Sequence, residues 1–583
     1  MSRHVFRKGM AYFRRNGFKK AVKRTIYFFT EKRSYEKLLA CTNPTPEELD
    51  RQRGEKFIHE PKVSILIPMY NTPIQFFKEL IDCVQAQTYS NWELCLADGT
   101  GCESEAGKYA AQCMAKDSRI VYKMLDSNDG ISENTNRALE MATGEFIALM
   151  DHDDIITPDA LYELVKAVNE DAMADSVYSD EDKMDMDGKK LFEPHFKPDF
   201  NIDYLRSCNY ICHMFMTRTS IAREAGGFRK PFDGAQDFDF IFRCTERSRH
   251  VAHVPKVIYH WRCHVNSTAA VPESKMYAYH AGVKSINEHC QRAGIPMTGE
   301  MGVSYGYYRD VPVLDRKPSV DIIIHGDAAR GELCRQCTKK LTYENLSAMM
   351  CGGDAASINK AVASSEAEYV LLLDSRITSL SEDLVEQLMG YVQRKDVAMA
   401  AARTSNLDDK IYHTFLIMGI DKSFGYAFHQ LDKGNNGYFM RINAPQDVSG
   451  VDMTCTLIKK SAYIAAGKLD ESMPLEYAAA DLCLKLAQLN TESGRAAGPG
   501  EGGAADTPQM WRDMYKLVYV PYADAVIDAS AESKWHIEEE DNKFNKKWSS
   551  VLKKTDRYYN RNLTKKDTNF TILSSMELKD ADL

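Results

Sequence analysis

The sequence predicts an α/β fold, a mainly parallel sheet covered by helices, present in two tandem copies. Three observations carry this. Short apolar runs alternate with helix-length segments from Val63 to Met150, polar residues gather just after those runs, and the same pattern returns from Lys317 to Asp374. At 583 residues the chain exceeds the roughly 250–300 residues that one core accommodates. The expected division is a basic helical segment at 1–60, a first α/β unit at 61–315 and a second, degenerate unit with a C-terminal tail at 316–583.

Taken in order, residues 1–33 hold eleven basic side chains against Glu31, a net +10 that leaves −19 for the remainder of a chain at −9. Phe6, Met10, Phe13, Phe18, Val22, Ile26 and Phe29 recur at steps near three and four, so a helix here has an apolar stripe and a basic face. Such a helix suits an anionic membrane surface, or equally packing on its own protein. Gly9 and Gly17 weaken a long straight helix. Thr42 to Pro46 breaks structure, and Glu47 to Arg53 reads as a charged helix.

Val63 to Pro68 is a strand ended by proline. A helix follows near Ile74 to Gln87, a strand at Trp92 to Ala97, a helix near Glu105 to Lys116, and a strand at Ile120 to Leu125. A helix around Ser132 to Ala142 and a strand at Phe146 to Met150 complete the first run. In the second copy Val320 to Ile324 echoes the first strand, and Leu341 to Asn345 echoes Gln87 to Asn91. Ile358 to Val362 echoes Thr135 to Leu139, and Glu368 to Asp374 echoes Glu145 to Asp151. Gly494 to Asp506 reads as a flexible loop.

Composition narrows the class. Hydrophobic residues make up 44% and aromatics 10%, as in soluble globular proteins. The sequence has no run of about 18 apolar residues and no signal-like N-terminus, so a cytosolic protein is expected, peripheral to the inner membrane face if the basic head binds lipid. The acidic body argues against nucleic acid as a partner. The fifteen cysteines are scattered singly; Cys334/Cys337 and Cys208/Cys212 are the closest pairs, neither joined by a second pair at zinc spacing.

In a parallel sheet, ligands bind beyond the carboxyl ends of the strands. Those ends carry Pro68-Met69-Tyr70-Asn71, Asp98-Gly99-Thr100 and Asp151-His152-Asp153-Asp154. An Asp-x-Asp at a strand end can offer hard carboxylate oxygens to a divalent cation that also carries a diphosphate. A nucleotidyltransferase would want a glycine- and lysine-rich loop after its first strand, which Pro68 to Asn71 is not. The second copy has Gly352 opposite Asp98, Arg376 opposite Asp153 and Ala479 opposite Asp237, and is expected to be non-catalytic.

With these residues in hand, the first copy resembles glycosyltransferase family 2, the inverting transferases of the GT-A fold, and among them bacterial members that build rhamnose-containing and other cell-surface polysaccharides. The resemblance implies that Pro68, Tyr70 and Asn71 lie beside the nucleotide base and ribose, and that Asp98 hydrogen-bonds a uracil or thymine ring. It implies that Gly130 and Asn136 lie near the diphosphate and donor sugar, with Thr135 where many relatives carry Arg. Asp153 becomes a direct ligand of Mn²⁺ or Mg²⁺, Asp151 a contact to ribose or metal, and His264 a further ligand beside the leaving group. Arg262 is expected to neutralise diphosphate charge.

Gly234 to Phe240 resembles the family's acidic base motif, making Asp237 the general base with Gln236 where Glu is common. Asp239 is the competitor, but its counterpart Asp481 persists in the second copy, which marks Asp239 as structural. Asp180, Glu181, Asp182 and Lys197 match a subgroup pattern expected to shape the sugar and acceptor pocket, together with Ser207 to His213. The resemblance implies transfer from a UDP- or dTDP-sugar to a lipid- or polysaccharide-linked acceptor. The alternative is a carbohydrate-binding or scaffold protein whose transferase site has lapsed.

Overall fold

The computed structural model describes residues 31–101, 104–263, 276–314, 316–496, 515–529, 536–574 and 576–579. The expected amphipathic helix through Phe29, His264, and the Gly/Ala-rich stretch from residue 497 onward lie outside the described residues.

The first sheet is built from β1 (Val63–Met69), β2 (Trp92–Asp98), β3 (Ile120–Met124), β4 (Phe146–Leu149), β5 (Ile155–Ile156), β6 (Ala174–Met184), β7 (Leu191–His195), β8 (Phe215–Arg218) and β9 (His250–Arg262). They lie in the order β3-β2-β1-β4-β8-β6-β9-β5, with β7 paired to β6. A hairpin of β10 (Met297–Met301) and β11 (Tyr308–Pro312) follows.

The second sheet holds β12 (Val320–His325), β13 (Leu346–Cys351), β14 (Tyr369–Asp374), β15 (Ile377–Leu380), β16 (Val397–Asn406) and β17 (Ile411–His413). After the hairpin β18 (Leu416–Met418) and β19 (Phe424–Tyr426) come β20 (Gln446–Val448), β21 (Cys455–Lys459) and β22 (Lys516–Ile527). Its order, β13-β12-β14-β21-β16-β22-β15 with β17 on β16, follows that of the first, omits the counterpart of β3 and adds β20 on β22. The omission follows from chain length, because Asn345 to Asn359 is too short to hold the helix and strand that occupy Asn91 to Asn136.

The strands form where expected because both faces are covered: β2 is buried at all seven positions and β1 at all but Pro68. The helix Ile74–Gln85 buries Phe76, Phe77, Leu80, Ile81 and Val84 along one face. Ser104 caps the helix Glu105–Lys116 by accepting from the Gly107 N–H, and Asp354 caps Ala355–Ser364 through the Ser357 N–H. The parallel register sets Met69 beside Asp98 and Leu66 beside Leu149, which brings the ends of β1, β2 and β4 to one edge.

The two sheets share one apolar cluster that runs from Leu66 and Ile147 through Ile286 and Tyr308 to Leu371 and Val518. Polar ties cross the same boundary. Asp203, fully buried, accepts from Arg206 and Arg394, and Asn201 and Asp447 bond through both amide directions at 2.8 and 2.9 Å. The C-terminal segment closes over the first copy, where Asn560 Nδ2 donates to Asp180 at 2.9 Å and to the Lys197 carbonyl at 2.9 Å. All described cysteines are free thiols, and among the described residues no helix is long and apolar enough to cross a membrane.

Candidate active site

The site is assembled on the carboxyl edge of the first sheet. After β1 the chain turns through Asn71, which adopts φ +50°, and leaves Tyr70 exposed. The Asn71 N–H donates to Thr100 Oγ1 at 2.8 Å. Thr100 is in turn held by Asp98, which accepts from the Thr100 N–H at 2.9 Å and from the Tyr122 hydroxyl at 3.1 Å.

After β4 the acidic run divides its labour. Asp151 and Asp153 remain partly exposed, while Asp154 is fully buried, accepting from the Tyr259 hydroxyl and, at 2.7 Å, from the Arg262 N–H. Burial, with Asp151 and Asp153 beside it, pushes the Asp154 pKa well above the usual carboxylate range. Asp154 therefore braces the other two from below through Tyr259 and the Arg262 backbone. His152 Nδ1 lies 3.2 Å from the Pro68 carbonyl and ties this loop to the end of β1.

Opposite Asp151 stands His213, whose Nε2 is 3.5 Å from Asp151 Oδ2 and whose ring stacks on Tyr259 at 4.8 Å. Burial alone would lower the His213 pKa and raise that of Asp151; their mutual attraction reverses both, lifting the imidazole well above its ordinary value and holding the carboxyl below its own. Neighbouring Cys212 is pushed up to about 11 by burial, so it is a neutral thiol near pH 7 and the carboxylates of Asp151, Glu181 and Asp237 are the charges around His213.

Asp237 sits in the first turn of the helix Gln236–Thr245. Asn209 Nδ2 donates to its Oδ2 at 2.7 Å, and Cys212 Sγ lies 4.0 Å from the same oxygen. Burial raises the Asp237 pKa, opposed by the charge of His213. One short segment, Asn209 to His213, thus links Asp151 to Asp237.

Residues 64–226 match the glycosyl transferase family 2 profile, and the match contains β1, the Asp98 turn, the Asp151–Asp153 loop and His213. The chain carries a family 2 glycosyl transferase domain. Relatives of the whole chain include the uncharacterized protein y4gI of Sinorhizobium fredii, 31% identical over 88% of this chain and 59% of that protein. The O-antigen biosynthesis protein RfbC of Myxococcus xanthus is 22% identical over 77% of this chain and 38% of its own length. The chain therefore spans about 59% and 38% of the lengths of these two relatives. Among solved structures, S. aureus TarS 1–349 in complex with UDP-GlcNAc is 19% identical, covering 39% of this chain and 66% of that one at a TM-score of 0.32.

Several side chains of this transferase domain stand elsewhere than the sequence suggests. Asn136 does not face the strand ends: its amide donates to the Phe228 carbonyl at 2.9 Å and accepts from the Phe228 N–H at 2.7 Å. Asn359 clasps Leu469 in the same two-way manner in the second copy. An amide used identically in both copies is a folding tie.

Arg262 is fully buried, spending its guanidinium on the Asp153 carbonyl at 2.6 Å, the Met186 carbonyl at 2.9 Å and Glu79 at 2.5 Å. It holds the acidic loop and has no exposed surface for a diphosphate. Asp98 likewise is fully buried, with its oxygens engaged by Thr100 and Tyr122, so it shapes the turn beneath Asn71 where direct contact with a base was expected.

The pocket expected from Asp180, Glu181, Asp182 and Lys197 separates into two functions. Asp180 and Asp182 are interior, Asp180 accepting from Asn560 and lying 2.9 Å from His253, Asp182 bonded to Tyr35 and lying 2.6 Å from His260. Lys197 is fully buried and donates to the Ile211 and His213 carbonyls at 2.7 and 2.6 Å. Glu181 accepts from the His213 N–H at 3.2 Å and pairs with Lys197 at 3.2 Å. Burial opposes its ionisation, but Lys197 and His195 hold its pKa down at about 2. Glu181 and Lys197 position the His213 loop.

Gln236 turns back to accept from the Gly234 N–H at 2.8 Å. Gly130, at φ +102°, opens the helix Ile131–Met141, where a Cβ would come 2.9 Å from Asp233; Asp233 also accepts from Ser132. His213, Asn209 and Asp233 were not singled out by the sequence reading. Only the first two lay inside a stretch assigned to the pocket, and nothing in local sequence marks a histidine whose partner is 62 residues away.

Asp239 and Asp481 are both fully buried and ion-paired, Asp239 to Arg229 and Arg243 and Asp481 to Lys485 and Lys547. That shared pairing is what a structural aspartate predicts.

Proposed function

We propose that this chain is a metal-dependent inverting glycosyltransferase, moving a sugar from a UDP- or dTDP-sugar to a lipid- or polysaccharide-linked acceptor in cell-surface polysaccharide synthesis. The observation that carries the reading is the run Asp151–His213–Cys212–Asp237 along one strand edge, which pairs a partly exposed carboxylate loop with a second carboxylate of raised pKa.

Asp151 and Asp153 would hold Mn²⁺ or Mg²⁺. Among the described residues no group of three metal-binding side chains is present, which suits a cation whose remaining shell comes from water and the donor's own oxygens. The donor set fits, because the carboxylates are hard oxygen ligands and His213 keeps Asp151 ionised. When bound, the cation would offset charge on the departing diphosphate. His264 falls outside the described residues, and His213 is the imidazole that stands beside Asp151.

Asp237 would accept the proton of the acceptor hydroxyl as that oxygen attacks the anomeric carbon from the face opposite the diphosphate. Its raised pKa brings it nearer the working range of a base, and the Asn209 hydrogen bond fixes which oxygen is occupied. Pro68, Tyr70 and Asn71 would receive the nucleotide, on a turn braced by Asp98. The second unit, 316–583, would hold the first in register, and the basic head would work at an anionic membrane face.

The test is release of UDP or dTDP from a panel of nucleotide sugars with Mn²⁺, with and without EDTA, comparing wild type with Asp153→Ala. Metal-dependent release from one donor, abolished in the variant, is expected. Neither release nor metal-dependent nucleotide binding would reject the transferase and favour a carbohydrate-binding protein with a lapsed site.

A further inference from the structure

The second sheet keeps a cavity of about 100 Å³ at the carboxyl ends of β12 and β14, where the first copy has its acidic site. Its lining includes His325, Asp374, Arg376, His413, Asp452 and Glu476, with the rings of Tyr412 and Tyr426 forming an apolar wall around His413. The His413 ring stacks on Tyr426 at 3.8 Å and on Tyr412 at 4.1 Å.

The charge pattern selects the ligand. Arg376 is committed to Asp374 through two contacts of 3.0 and 2.6 Å, so the cation that replaced Asp153 already has its counter-charge. Asp452 pairs with His413 and accepts from Thr454 Oγ1 at 2.6 Å. Exposed Glu476 adds a further negative charge to the lining. With Arg376 paired to Asp374 and His413 to Asp452, the remaining charge is that of Glu476, which disfavours phosphate and accepts a hydroxyl in a charge-assisted hydrogen bond. The volume is also below the roughly 300–1,000 Å³ of pockets for drug-sized ligands, which excludes a whole nucleotide sugar.

We propose that this cavity binds one neutral sugar ring of a saccharide, without turning it over. Carboxylate oxygens take the hydroxyls and the tyrosine and histidine rings take the apolar face of the sugar. Ala479 lines the cavity where the first copy has Asp237, so the carboxylate at the position proposed for the general base is missing. Assigning that sugar to the acceptor chain rests on the transferase reading; the binding itself does not.

The experiment is saturation-transfer NMR on the full chain with methyl glycosides of rhamnose, glucose, galactose and mannose, with UDP as competitor. At least one glycoside is expected to show transfer that persists under saturating UDP and to bind about tenfold more weakly in Glu476→Ala or Asp452→Asn. Asp237→Asn should keep the signal. No glycoside signal, displacement by UDP, or unchanged binding in both variants with native circular dichroism would overturn the proposal. Glycoside binding with neither UDP release nor metal-dependent nucleotide binding would sink the transferase and leave this site standing; UDP release without glycoside binding would do the reverse.

Discussion

The two copies share a strand order and differ in what their strand ends do. In the first, the Asp-x-Asp after β4 stays partly open, steadied from behind by Asp154 and Arg262. In the second, the same two positions are Asp374 and Arg376, which neutralise each other. The folding ties survive in both copies, as Asn136 and Asn359 on the neighbouring backbone and as the buried ion-paired Asp239 and Asp481. What separates an open acidic strand end from a self-neutralised one is therefore a few side chains on a common frame, because the frame is set by buried apolar area and the strand-end charge by residues that contribute little to it.

The sharpest test of this contrast compares Asp237→Asn with Asp374→Asn. The first should lower kcat by about 10²–10⁴-fold with nucleotide affinity retained, as expected for loss of a general base. The second should alter acceptor KM and leave kcat in place. A matching fall in kcat for Asp374→Asn, measured by UDP release, would mean that the second copy performs chemistry.

The next effect concerns the boundary between the copies. Asp180→Ala removes the buried partner of Asn560, Asn562 and His253 and should cost about 3–5 kcal/mol in denaturant unfolding. A variant of native stability with a changed sugar preference would restore Asp180 to the pocket.

Asp447 gives a pH signature to the same boundary. Burial, with Asp203 beside it, pushes its pKa up to about 8. The native state thus keeps a proton that the unfolded chain gives up above about pH 4. By linkage, stability should fall as pH rises from there towards 8. Asp447→Asn should melt several degrees above wild type at pH 8 and converge with it near pH 4. A constant difference across that range would reject Asp447 as the titrating group.

The smallest expected effect is the most symmetrical. Asn136→Ala and Asn359→Ala should each cost about 1–3 kcal/mol through the lost backbone clasp. A selective loss of donor affinity in Asn136→Ala would return that residue to the donor site.

Much of this protein was legible in its sequence. Strands β1 to β4 were readable because each is a short apolar run bounded by turn residues, and the repeat because both copies keep those runs in order. Asp151, Asp153 and Asp237 could be proposed from sequence because their motifs are local, and the shared Asp239/Asp481 pattern agrees with the buried ion pairs that both make. Arg262 and Asn136 were misread because a polar residue near a strand end looks the same in sequence whether it faces ligand or backbone.

Local sequence alone determined the α/β class, the strand-end acidic loop and the degeneracy of the second copy, since all three follow from short-range apolar periodicity and residue identity. Tertiary structure decided which polar side chains face the site. In β6 the pairing with β9 slips at Ser179–Asp180 and Asp180–Glu181, so simple alternation does not say which carboxylate turns inward. The partners that fix Asp180, Asp203 and His213 lie 380, 191 and 62 residues away in sequence. Their pKa values and accessibility come from that long-range packing, where burial is costly unless a distant partner is present.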